Sequence, residues 1–132
     1  MNLTTYILFA IPPMIAGFVA LLSACASQPL RELLQLSKGA GALSSGLREY
    51  EDGEYAEAAR NLQGAIDLGL TDGERANAHK HLAFIHCAAG RNSACREEFR
   101  KALAIDPSLE LAPAESGHPV WGPIFRSLKA AR

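Results

Sequence analysis

The strongest constraint in this chain is a pattern that occurs twice. Gly53, Ala58, Leu62 and Ala65 recur as Gly90, Cys95, Phe99 and Ala102, every pair 37 residues apart. Each set reads glycine, small, large, small. The second set sits in residues 81–107, which read as two antiparallel helices around a turn at Gly90. On the first of these helices Leu82, Ala83, Phe84, Ile85 and Cys87 form a broad apolar surface. On the second, Cys95, Phe99, Ala102 and Leu103 fall at spacings of four, three and one, which puts them on one face. Asp106-Pro107 then stops the helix, because proline disfavours helical geometry in the residue before it and lacks the N–H that would continue the ladder. Small residues at Ala83 and Cys95 let two backbones approach, and Gly90 permits a left-handed turn.

The pattern G-x4-C-x3-F-x2-A-x4-P at residues 90–107 resembles the second half of a tetratricopeptide (TPR) repeat, with cysteine where alanine is usual. The usual period is about 34 residues. The surplus in this chain falls in residues 67–73, where Gly69, Thr71, Asp72 and Gly73 read as a loop. Chance matching of alanine-rich helices is the competing explanation.

The expected fold is therefore all-α: two TPR-like helix-turn-helix hairpins over residues 39–109 and a C-terminal capping helix within residues 110–132. Residues 41–51 supply the first helix, with Leu43, Leu47 and Tyr50 on one side. Residues 54–68 pair with it, and Tyr55, Ala58, Leu62, Ala65 and Ile66 should face the core. Thr71 or Asp72 caps the third helix, which runs to about residue 89, and Asn92 or Ser93 caps the fourth. Two hairpins bury only a thin core, so the array needs covers at its ends. Trp121, Ile124, Phe125 and Leu128, stiffened by Pro119 and Pro123, supply one. Trp121 has two readings here, a plug in the core or an anchor for a partner.

The N-terminal part carries a different signal. Residues 6–22 are apolar, no charged side chain precedes Arg31, and the run ends Leu22-Ser23-Ala24-Cys25. A small-residue cleavage site directly before a cysteine resembles the lipobox of bacterial lipoproteins. The resemblance implies a signal peptide over residues 1–24, thioether lipidation and N-acylation of Cys25, and a tether over residues 25–38 with some helical tendency, weakened by Gly39 and Gly41. Two or three acyl chains anchor stably where one would not. Ala26 after the cysteine favours the periplasmic face of the outer membrane, an inner-membrane anchor being the alternative. The n-region lacks Lys and Arg, and Pro12-Pro13 interrupts the apolar run. Residues 6–24 also approach the roughly 20 residues a membrane-spanning helix needs, so an uncleaved helix is the other reading.

Cys87 and Cys95 remain once Cys25 is lipidated. An exported chain meets an oxidising compartment, where they could form a disulfide across the Gly90 turn; two small buried thiols are the alternative. His79, His81 and His86 are the only cluster of metal-ligand types, and their spacing does not bring them to one ion, so no metal site is expected. No Gly-rich phosphate loop, nucleophile elbow or carboxylate pair in catalytic surroundings stands out. Glu97-Glu98 and Glu49/Glu51 read as solvated helix faces. With 13 basic and 14 acidic residues there is no excess to attract nucleic acid. The expectation is a chain without catalytic residues, cofactor or small-molecule substrate.

Three further motifs are more specific: L-A-F-I-x-C at residues 82–87, C-x3-F-R-x-A-L-x-I-D-P at 95–107 and A-E-x-G-H-P-x-W-G-P-x-F at 114–125. With the lipobox they resemble the TssQ-type lipoproteins of type VI secretion systems. That resemblance implies a non-catalytic accessory docked at the cell-envelope machinery, held to the membrane through acylated Cys25. A TPR groove is lined by the first helix of each hairpin, here Leu43, Leu47, Tyr50, Asn77, Lys80 and Phe84, with Trp121 as a further contact. Such a mixed surface suits a helix or an extended peptide. A pilotin-like or structural lipoprotein of another secretion or pilus system is the alternative.

Overall fold

The computed structural model describes the backbone of residues 13–132 and the side chains of residues 29–132. The expectations for the signal peptide at residues 1–24 and for Cys25 rest on side chains outside that range. Among the described residues the structure is helical without strands: α1 (Pro13–Glu51), α2 (Tyr55–Leu68), α3 (Asp72–Ala88), α4 (Asn92–Ile105), the single turn α5 (Pro113–Ser116) and α6 (Trp121–Ala130). No helix among them is long and apolar enough to cross a membrane. The fold is all-α and TPR-like. The chain divides after Leu34, and Gln35–Arg132 makes one compact unit. The C-terminal segment therefore belongs to the same body as the repeats.

The 37-residue offset holds bond for bond in the two hairpin turns. Gly53 N–H donates to Tyr50 O and Glu54 N–H to Glu49 O; Gly90 N–H donates to Cys87 O and Arg91 N–H to His86 O. This 6→1 and 5→2 pairing closes a helix C-terminus and requires a left-handed residue, which glycine provides at φ 82° (Gly53) and 72° (Gly90). The next bonds also correspond, Tyr55 N–H to Gly53 O and Asn92 N–H to Gly90 O. Glu54 and Arg91 then start α2 and α4 at nearly the same φ, −81° and −83°, without a side-chain cap. The expected caps at Asn92 or Ser93 are thus not used, because the turn places Arg91 at the cap position. Thr71 does cap α3, in a capping box with Glu74.

Ala58, Leu62, Ala65, Cys95, Phe99 and Ala102 are fully buried. One core cluster gathers Leu43, Leu62, Leu82 and Ile85; a second gathers Phe84, Cys87, Phe99, Leu103 and Phe125. Tyr50 packs against both. Tyr55 departs from expectation: it is half exposed at the start of α2, leaning on the Tyr50 ring. Ile66 is half-buried. Cys87 and Cys95 are joined by a disulfide with Cα atoms 5.2 Å apart.

α1 runs without a break through residues 25–38, the span expected as a tether with some helical tendency, and on past Gly39 and Gly41. Gly39 is a close-packing residue there. A Cβ at Gly39 would lie 1.9 Å from the carbonyl oxygen of Gly69, so only glycine lets α1 rest on the end of α2. Gly41, by contrast, faces open space.

These contacts set two expectations for denaturant unfolding. Gly41→Ala should stabilise by up to about 1 kcal/mol through helix propensity. Gly39→Ala should destabilise by about 1–2 kcal/mol, overpacking outweighing the same propensity gain; equal effects at the two positions would contradict the packing. A third expectation concerns the disulfide: reducing Cys87–Cys95 opens a short loop and returns conformational entropy to the unfolded chain, which should cost about 2.5 kcal/mol in the same measurement.

Candidate functional site

The face expected to receive a partner is formed by the first helices of the two hairpins, α1 and α3. Its α1 half is a shallow open depression of about 420 Å³ lined by Ala40, Leu43, Ser44, Leu47, Arg48 and Glu51. Leu43 is itself nearly covered, at 6% exposure, and Leu47 is half-buried. Adding 37 to Ala40, Leu43 and Leu47 gives Asn77, Lys80 and Phe84, the corresponding α3 positions.

The α3 half is occupied by the chain's own C-terminal segment. Lys80 Nζ donates to Glu115 Oε1 at 2.8 Å and sits 5.6 Å above the Phe84 ring centroid. Trp121 also packs on Phe84, the ring centroids 4.7 Å apart. The indole Nε1–H donates to Glu115 O at 2.9 Å, and His118 stacks on the indole. Phe84 is consequently 1% exposed and belongs to the core, not to an open surface. Trp121 is half-buried, with its N–H bonded and its ring in contact with Phe84 and His118 of the same chain. Of the expected contact residues, Leu47, Tyr50 and Asn77 remain half-buried, while Lys80 and Phe84 lie under the tail.

An aromatic group joins the two halves. Tyr50 meets His81 edge-on with centroids 5.1 Å apart, and His81 meets Phe84 at 5.5 Å. Burial raises the Tyr50 hydroxyl pKa, and Tyr55 and Glu115 add to it. Burial lowers the pKa of His81 despite its bond to Asn77 O, so the imidazole favours the neutral form. Burial opposes ionisation of Glu115, but the hydrogen bonds from Lys80 and the Ala112 N–H outweigh it and hold the carboxyl below the usual range.

Two carboxylates read as solvated are structural. Glu98 is buried between α3 and α4, 2.6 Å from His79 Nδ1 and 2.7 Å from Lys101 Nζ. Burial resists its charge, yet the bonds from His79 and Lys101 keep its pKa depressed. Glu49 accepts both of its 2.8 Å bonds from Asn61 Nδ2, tying α1 to α2. The signal for Glu98 was its position, three residues after Cys95 and four before Ala102 on the buried stripe. The three histidines go separate ways: His79 to Glu98, His81 to Asn77 O, and His86 accepting from Arg91 Nε. Among the described residues no group of three or more His, Cys, Asp or Glu is placed to hold a metal ion.

The depressed pKa values of His81 and His86, the latter lowered by burial and then by Arg91, give a pH dependence. A group whose pKa falls on folding stabilises above its unfolded pKa, and that contribution is lost as pH falls. Stability should therefore decline as pH drops below about 6.5, the ordinary histidine value. Glu98 and Glu115 extend the loss below about 4.3 by the same sign. The double variant His81→Gln/His86→Gln should show a shallower decline between about pH 6.5 and pH 5 in urea unfolding; an unchanged slope would remove these two groups as its origin.

Comparison with known proteins gives a partial likeness. Over 81 residues the chain is 32% identical to the Photosystem I assembly protein Ycf3 of Synechococcus sp. (strain CC9605), covering 60% of this chain and 47% of that protein. The chain thus spans about half the length of the curated relative it matches. No protein-family model matches, and no solved structure matches. The likeness and the repeated hairpins fit a TPR-like protein.

Proposed function

We propose that this protein is a non-catalytic docking and assembly accessory that receives a protein partner on the α1 half of its concave face. The observation that carries the reading is the contrast between the halves. The chain covers Lys80 and Phe84 with its own Glu115 and Trp121, whereas Ala40, Leu43, Ser44, Leu47, Arg48 and Glu51 line a depression that is open among the described residues. Aliphatic side chains flanked by the opposite charges of Arg48 and Glu51 suit an amphipathic helix or extended peptide. The relative's name describes an assembly protein, which agrees with this class of role.

The finer reading is a lipid-anchored accessory of a type VI secretion system. It is supported by the Leu22-Ser23-Ala24-Cys25 sequence and by the motifs at residues 82–87, 95–107 and 114–125. Acylation of Cys25 would confine the docking face to a membrane surface and raise its effective concentration near envelope partners.

A photoreactive residue at exposed Ser44, introduced into the full-length protein in its native cells, tests both levels. The expected adduct is a component of the type VI machinery, and Leu47→Asp should reduce it by about 30-fold, the loss of one hot-spot contact. A secretin or pilus adduct would instead assign the protein to another envelope system. Absence of any protein adduct would overturn the docking reading. Cys25→Ala should release the chain from sedimented membranes; retention would overturn the lipid anchor.

A further inference from the structure

A second concave feature lies within the C-terminal segment, lined by none of the α1 residues. The loop leading into α5 and the outer side of α6 enclose a cleft of about 460 Å³. Its apolar lining comes from Leu111, Phe125 and Ala130, and its polar rim from Arg126, Lys129 and Glu110. That volume is in the range of small-ligand sites.

The two cations are held in place by backbone carbonyls. Arg126 Nη1 donates to Ser116 O at 2.9 Å, and Lys129 Nζ donates to Leu109 O at 2.8 Å. Lys129 is also paired with the exposed Glu110 carboxylate. Among the described residues no carboxylate lies within ion-pair distance of Arg126, whose contact is the Ser116 carbonyl. A carbonyl fixes its guanidinium without cancelling its charge. One edge of the planar fork is spent on Ser116 O, and the Nε–Nη2 edge keeps the geometry that a carboxylate accepts in two parallel bonds.

Gly122 makes the arrangement possible. A Cβ there would lie 2.4 Å from Ser116 O and 3.3 Å from Arg126 Nη1. The glycine lets the loop carbonyl reach α6 and brings the arginine to it. The charged lining is Arg126, Lys129 and Glu110, two cations against one carboxylate, and that excess of one positive charge favours an anion.

We propose that this cleft binds a carboxylate bearing a short aliphatic tail, with the carboxylate on the free edge of Arg126 and the tail over Leu111, Phe125 and Ala130. The same chemistry is found in a free short-chain acid and in the terminal carboxylate of a peptide ending in an aliphatic residue. The proposal is independent of the docking reading, since it uses none of the α1 residues.

The test is titration of the full-length protein with hexanoate, hexan-1-ol, and acetyl-Ala-Leu as free acid and as amide, following the Ala130 and Leu111 methyl resonances. Each acid should bind about fivefold more tightly than its neutral counterpart, the worth of one exposed ion pair. Arg126→Gln, at an exposed position where folding should be retained, should erase that preference and leave the weaker binding of the neutral compounds. Gly122→Ala should reduce it by displacing Ser116 O. Tighter binding of hexanoate than of the peptide acid assigns the site to free acids, and the reverse order to peptide ends. Equal binding of acids and neutral compounds, an acid preference that survives Arg126→Gln, or no saturable shift at these methyls would overturn the proposal.

Discussion

The fold depends on how closely α1 can approach α2. A Cβ on Gly46 would stand 2.9 Å from Leu62 Cγ and 3.0 Å from the Leu62 backbone nitrogen. The side chain of Leu62 fills the space where that atom would be, and Leu62 is fully buried there. The position 37 residues later is Ala83, also fully buried, in the cluster that holds Phe99. A small residue on the first helix facing a large one on the second therefore sets the separation in both hairpins. At such separations the shape of the contact matters as much as its area, because interiors are packed too densely to absorb even a methyl group without displacement. The Glu49–Asn61 bonds add direction to the first contact, and the His79–Glu98–Lys101 group adds direction to the second pair of helices.

Much of this architecture was legible from residue spacing. Glycine at the turns, small and large residues at fixed offsets, and Asp106-Pro107 at the end of α4 all act locally, so sequence distance reports them directly. Gly46 and Ala83 obey the same offset and could have been added by extending the comparison upstream. The glycines at positions 39 and 41 look alike in sequence but differ in space: only the first meets the end of α2. That contact joins segments 30 residues apart in the chain and has no local signature. Glu98 was hidden for a related reason. Its charge suggests solvent, and only the partner supplied by α3 makes burial tolerable.

The candidate site was less legible than the fold. The residues lining the first helix of each hairpin could be named from the repeat, but their availability depends on what the tail does. Trp121 could be anticipated as a cover; the Glu115–Lys80 pair that fixes its approach over Phe84 could not, because it joins positions 35 residues apart. The tail thereby makes the two equivalent faces unequal. One keeps aliphatic residues beside Arg48 and Glu51, while the other satisfies its cation and its ring internally.

Tyr50 has a consequence of another kind. Its ring is shared by the two apolar clusters and is bracketed by Tyr55, His81 and Phe84. Neither hairpin can loosen there without stripping contacts from its neighbour. The pair should therefore melt as a single cooperative block, unlike a long solenoid in which terminal units fray one after another.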